Sequence, residues 1–110
     1  KLRDDQARSF YYTGLEHIKK QRIDKAIDSF KQAIEIKSDI AEFHSQLGLA
    51  YKTKSWTGMA QGEFKLAYKY NRNDKIAKAN MSPEDLAPAN KKVEEKKGFF
   101  GGLFSFGKKK

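Results

Sequence analysis

Between residues 23 and 34 the apolar side chains Ile23, Ala26, Ile27, Phe30, Ala33 and Ile34 recur at the i, i+3, i+4, i+7 spacing of one buried helical stripe. Lys25, Asp28, Lys31 and Glu35 occupy the remaining faces, so the segment predicts an amphipathic helix. Further apolar sets predict a helix from about Ile40 to Thr53, with Asp39 at its N-cap, and another from about Trp56 to Tyr70, with Ser55 at its N-cap. Leu2 to Ala7 extend the first helix of the chain. A further helix starts at Lys75 with Ile76 and Ala79, but Pro83 stops it within about two turns, because the residue before a proline is biased away from helical angles. Residues 75–81 therefore read as a truncated capping helix. In Ser82-Pro83-Glu84-Asp85-Leu86, serine at the cap and proline in the first turn predict a short helix start, limited by Pro88.

The pattern repeats. A shift of 34 residues superimposes Gly14 on Gly48, Ala26 on Ala60, Phe30 on Phe64 and Ala33 on Ala67, and Ala7/Ala41, Leu15/Leu49, Lys20/Lys54 and Lys31/Lys65 match in the same register. Those eight identities exceed the roughly two that average composition would give. Glycine inside a helical pattern costs about 1 kcal/mol relative to alanine, so Gly14 and Gly48 predict close approach of a partner helix. Ala26 and Ala60 are small for the same reason. Residue types and spacing resemble two tetratricopeptide repeats, residues 7–40 and 41–74. Leu47, Gly48, Tyr51, Ala60, Phe64 and Ala67 fit the family pattern in the second unit, and Phe10 fits it in the first. Thr13 and His17 depart from that pattern, and Ser38 and Arg72 stand where the family usually has proline. The resemblance covers residues 7–74 and implies an all-α stack of helix-turn-helix units, which with the capping helix makes a domain of residues 1–81; composition then marks a polar linker at 82–97 and an extended basic and aromatic tail at 98–110.

Charge changes the picture at that tail. The chain has 110 residues and a net charge of +9, of which residues 75–110 contribute +5. The linker holds one large apolar residue, Val93, in 89–97 and has no face to pack. Phe99, Phe100, Leu103, Phe104 and Phe106 then follow, with Lys108, Lys109 and Lys110 behind them. The interspersed glycines disfavour a stable isolated helix, and five large apolar groups require burial somewhere. Three destinations fit: the chain's own repeats, an apolar groove of a partner, or an anionic membrane interface where rings and lysines act together. No run of apolar residues is long enough to span a bilayer as a helix.

Candidate chemistry is sparse. With no cysteine there is no thiolate nucleophile or disulfide. His17 and His44 fall at different levels of neighbouring helices with no acid at ligand spacing from both, so neither a metal site nor a cofactor is expected. Glu94 and Glu95 lie in the polar linker, without an apolar pocket to perturb them. Lys19, Lys20 and Arg22 form a basic turn without interleaved aromatics, and nucleic-acid binding is not expected. The family resemblance implies that first helices line a concave groove. The lysine, arginine and asparagine clamp for a terminal carboxylate is replaced there by Tyr11, Leu15, Gln46, Ile76 and Asn80. An inward stripe of Tyr11, Leu15, Ile18, Ser45 and Leu49 is expected to accept an apolar or aromatic-bearing segment. The expected function is a non-catalytic interaction module, as scaffold, assembly factor or accessory subunit of a membrane-associated complex. It would sit on the cytoplasmic side, bind a protein partner rather than a small-molecule substrate, and use the tail as anchor. The alternative is a peripheral membrane protein whose tail inserts at the lipid interface and whose repeats self-associate.

Overall fold

The structure, a computed structural model, describes residues 2–86. Five helices occupy them: α1 Leu2–Lys19, α2 Ile23–Ile36, α3 Ala41–Thr53, α4 Thr57–Tyr70 and α5 Lys75–Asn80. The chain pairs α1 with α2 and α3 with α4 as two hairpins, packs α2 against α3, and lays α5 on α4. This is the expected all-α repeat stack. The tail expected at 98–110 and the linker beyond residue 86 lie outside the described residues.

Each hairpin closes on one ring. Phe30 of α2 and Phe64 of α4 are 0% exposed. Each sits where a helical glycine of the facing helix leaves room: a Cβ on Gly14 would lie 2.5 Å from Phe30 Cε1, and one on Gly48 would lie 2.6 Å from Phe64 Cε1. The glycines thus trade helix propensity for the approach of a whole ring. Between the hairpins, Phe43 of α3 is fully buried, and its ring centroid stands 5.0 Å from that of Tyr11 on α1. Beyond α5, Met81 belongs to the same core and the half-buried Leu86 packs against it.

The turns inside the two hairpins are copies at the level of single hydrogen bonds. Arg22 N–H donates to His17 O and Gln21 N–H to Ile18 O; Trp56 N–H donates to Tyr51 O and Ser55 N–H to Lys52 O. Paired bonds of this kind, around one residue in the left-handed region, form a Schellman closure. The left-handed residues are Gln21 at φ 61° and Ser55 at φ 66°. Ser55 is therefore not the N-cap of α4. That place is taken by Trp56, whose carbonyl accepts from Ala60 N–H and whose side chain makes no capping bond. Asp39 is likewise displaced by one residue: Ile40 is the N-cap of α3, with no side-chain cap, and Asp39 stands 3.8 Å from Lys37 Nζ. In the next unit Asp74 occupies the place of Ile40, and its carboxylate accepts from Ala77 N–H at 2.9 Å. Ser82 to Leu86 close one turn, with Asp85 N–H donating to Ser82 O and the Ser82 hydroxyl donating to the Asp85 carboxylate. No helix forms there within the described residues.

Candidate functional site

The first helix of each unit, α1, α3 and α5, lies beside the next along one face. Arg8 reaches Glu42 at 3.8 Å, Tyr11 meets Phe43, and Lys52 Nζ donates to Asn80 Oδ1 at 2.6 Å. A recess of about 380 Å³ opens on this face, lined by Tyr11, Glu42, Ser45, Gln46, Asn71, Asn73, Asp74, Lys75 and Ile76. It draws on α1, α3, α5 and the α4–α5 turn, so it exists only when the two units are stacked.

The expected inward stripe divides. Tyr11 and Ser45 line the recess, whereas Leu15, Ile18 and Leu49 lie outside it, half-buried against the core. Ser45 is 1% exposed, and its hydroxyl donates to Glu42 O at 3.1 Å. Its one donor hydrogen is spent within its own helix and its side chain is buried, which makes it a wall rather than a ligand-binding group. Tyr11 is 8% exposed, and burial, with a further contribution from the Glu42 carboxylate, pushes its phenol up to about 12. The phenol stays protonated and neutral at physiological pH. The recess thus sets amides and carboxylates beside apolar surface of about equal extent, and only Tyr11 and Ser45 of the expected stripe line it. Asn71, Asn73 and Asp74 supply that polarity from a turn, which helix periodicity does not address. Side chains with both donors and acceptors suit the backbone of an extended peptide segment, since each peptide unit offers one N–H and one C=O.

A second polar cluster lies at the joint between the units. His44 of α3 is 4% exposed and has an acceptor at each ring nitrogen: Glu63 Oε1 of α4 lies 2.8 Å from Nδ1, and Ser38 O of the α2–α3 turn lies 2.8 Å from Nε2. Two acceptors demand two N–H donors, which only the imidazolium supplies. Burial lowers the His44 pKa, but the bonds to Glu63 and Ser38 and the Glu63 charge outweigh it, and the net shift is upward from 6.5. The ring also stacks on Tyr70, with centroids 5.5 Å apart at 26°. Sequence reasoning missed this role because Glu63 is 19 residues away on another helix. No group of three or more histidines or acids within metal-binding reach occurs among the described residues.

The family model described as TPR repeat matches residues 14–55, from the glycine that receives Phe30 to the left-handed residue of the second hairpin turn. Both hairpins share one helix-turn-helix pairing, so the packing around the matched residues is consistent with tetratricopeptide repeats, a family of protein-interaction modules. No curated protein and no solved structure gives a significant match.

Proposed function

We propose that the chain is a non-catalytic adaptor: its concave recess holds an extended segment of a partner protein, and its tail anchors the pair in a membrane-associated complex. It would act there as a scaffold, assembly factor or accessory subunit, peripheral to the cytoplasmic side of the membrane. The supporting observation is the recess itself, which spans both units and gathers amide and carboxylate groups of the kind that read a peptide backbone. Phe99, Phe100, Leu103, Phe104 and Phe106, with Lys108, Lys109 and Lys110, are the anchor residues in this reading. Leu15, Ile18 and Leu49 would supply apolar contacts beside the recess, next to the buried Tyr11 and Ser45 walls.

A photoreactive amino acid placed at Gln46 in the recess, and separately at the exposed Gln32 on α2, tests the first half in cell extract. A stoichiometric protein adduct from position 46 but not from 32 supports it; equal labelling refutes it. Deletion of residues 98–110 tests the second half. The truncated chain should leave the membrane fraction with its circular dichroism unchanged, and loss of helicity would instead make the tail part of the core.

A further inference from the structure

We propose that the row of helix tips formed by the α1–α2 turn, the α3–α4 turn and the end of α5 is a docking surface for an anionic lipid bilayer. This rests on the proposed membrane attachment, to which it adds a lipid class and a second point of contact.

Charge in the folded part of the chain is strongly segregated. Residues 16–25 carry four basic and two acidic side chains, residues 52–59 carry two lysines and no acid, and residues 78–80 carry one lysine. The remainder of residues 2–86 carries eight basic and ten acidic side chains. The tips are thus at +5 while everything else between residues 2 and 86 is at −2. They also form one continuous edge. Lys54 Nζ meets Asp24 Oδ1 at 2.9 Å, which joins the two hairpin turns, and the Lys52 bond to Asn80 joins the second turn to α5.

Two of the large apolar side chains that the fold leaves exposed stand on the same edge. Trp56 is 44% exposed, with the Lys54 ammonium 5.3 Å from its ring centroid, and Met59, one turn further on, is 51% exposed. An indole beside ammonium groups is the pairing that settles at the headgroup level of a bilayer, apolar body inward and cations at the phosphates.

No cation of the tips lines the concave recess or the recess formed by Lys31, Ile34, Glu35, Leu47, Tyr51 and Glu63. With packed helices about 8–10 Å apart, the charges spread over roughly 20 Å, which matches a plane of anions better than one carboxylate or phosphate. A single weak anchor gives only marginal, reversible membrane binding, and two together make it stable. The edge and the tail have the same chemistry.

The test is co-sedimentation of the full chain with phosphatidylserine-rich vesicles and with phosphatidylcholine vesicles at physiological salt. The edge variant is Lys19→Gln/Arg22→Gln/Lys25→Gln, three exposed side chains with no ion pair to a described residue. The charge-matched control is Lys31→Gln/Lys65→Gln/Lys69→Gln on other faces. At about 1 kcal/mol, or fivefold, per lysine near an anionic surface, the edge variant should lose on the order of 100-fold in partitioning. The control should lose less than a tenth of that, and Trp56→Ala should weaken binding severalfold. The proposal is overturned when the edge variant loses no more than the control, or when phosphatidylcholine vesicles bind the chain equally well. It is also overturned when duplex DNA or poly(A) competes the chain off the vesicles and Trp56→Ala has no effect, which would make the edge a nucleic-acid surface. A Lys108→Gln/Lys109→Gln/Lys110→Gln variant separates the two readings. Loss in that variant with an unaffected edge variant leaves the tail anchor standing and the edge refuted; the reverse leaves the edge standing and the tail anchor refuted.

Discussion

Alanine at Gly14 or Gly48 should destabilise the protein, whereas alanine at Gly62, also within a helix, should stabilise it. All three substitutions gain the same intrinsic helix preference, about 1 kcal/mol. They differ in what the new methyl group meets. Nothing lies within 4 Å of a Cβ at Gly62, while a Cβ at Gly14 falls 2.5 Å from Phe30 Cε1 and one at Gly48 falls 2.6 Å from Phe64 Cε1. Carbon atoms in contact prefer about 3.5–4.0 Å, so each ring would have to retreat by roughly 1 Å. Neither ring has space to do so, since both are 0% exposed and the Tyr11 ring centroid lies 5.8 Å from that of Phe30. Forced insertion into a packed core costs about 1–3 kcal/mol, and immobile neighbours place these sites at or above the upper end. After the propensity gain, the net loss at Gly14 or Gly48 is about 2 kcal/mol. That corresponds to a fall in melting temperature of roughly 8–16 °C for a domain of this size. Gly62→Ala should raise it by a few degrees. The assay is thermal and urea unfolding followed by circular dichroism, with Phe30→Leu added to Gly14→Ala. The smaller side chain should relieve part of the cost, giving a coupling of about 1–2 kcal/mol between the two sites. Equal effects at Gly14, Gly48 and Gly62, or additivity in the double variant, would refute the ring-into-glycine packing.

Two further outcomes follow from the turns and from the joint. Ser55→Gly and Gln21→Gly remove a side chain from the left-handed region, where it costs roughly 1–2 kcal/mol; each should stabilise by about 1 kcal/mol in urea melts, and destabilisation would contradict the Schellman closure. His44 has a raised pKa in the fold, so its stabilising contribution is complete below the unfolded value of 6.5 and is lost as pH rises through the higher folded value. The melting temperature should therefore fall as pH is raised from 6 upward, and His44→Gln, less stable at pH 6, should flatten that dependence; an unchanged slope in the variant would exclude the imidazolium.

The sequence pattern was most informative where side chains repeat on one helical face. Ala26, Phe30 and Ala33, with their counterparts Ala60, Phe64 and Ala67, marked both units and the buried face of each second helix. The two glycines marked the contact opposite. Helix starts were misplaced by one residue at Ile40 and Trp56, because the pattern assigned caps by residue type, while the backbone of a tight turn decides which residue can cap. The polar lining of the recess was not legible either. Asn71 and Asn73 come from a turn, and their convergence with Glu42 and Gln46 depends on how one unit stacks on the next. The same holds for His44, whose partners Ser38 and Glu63 come from two other elements.

Because each hairpin turn closes through main-chain bonds alone, residues 19–22 and 53–56 have no side chain on which the reversal depends. Substitution there changes what the tips present to their surroundings without changing where they stand. The Gly–Phe contacts inside the hairpins fix the scaffold, and the tips remain open to variation. Two units built on the same backbone thereby carry dissimilar ends, arginine in one and tryptophan in the other at equivalent positions 22 and 56. Away from the left-handed positions 21 and 55, the turns can present different side chains on one shared main-chain closure.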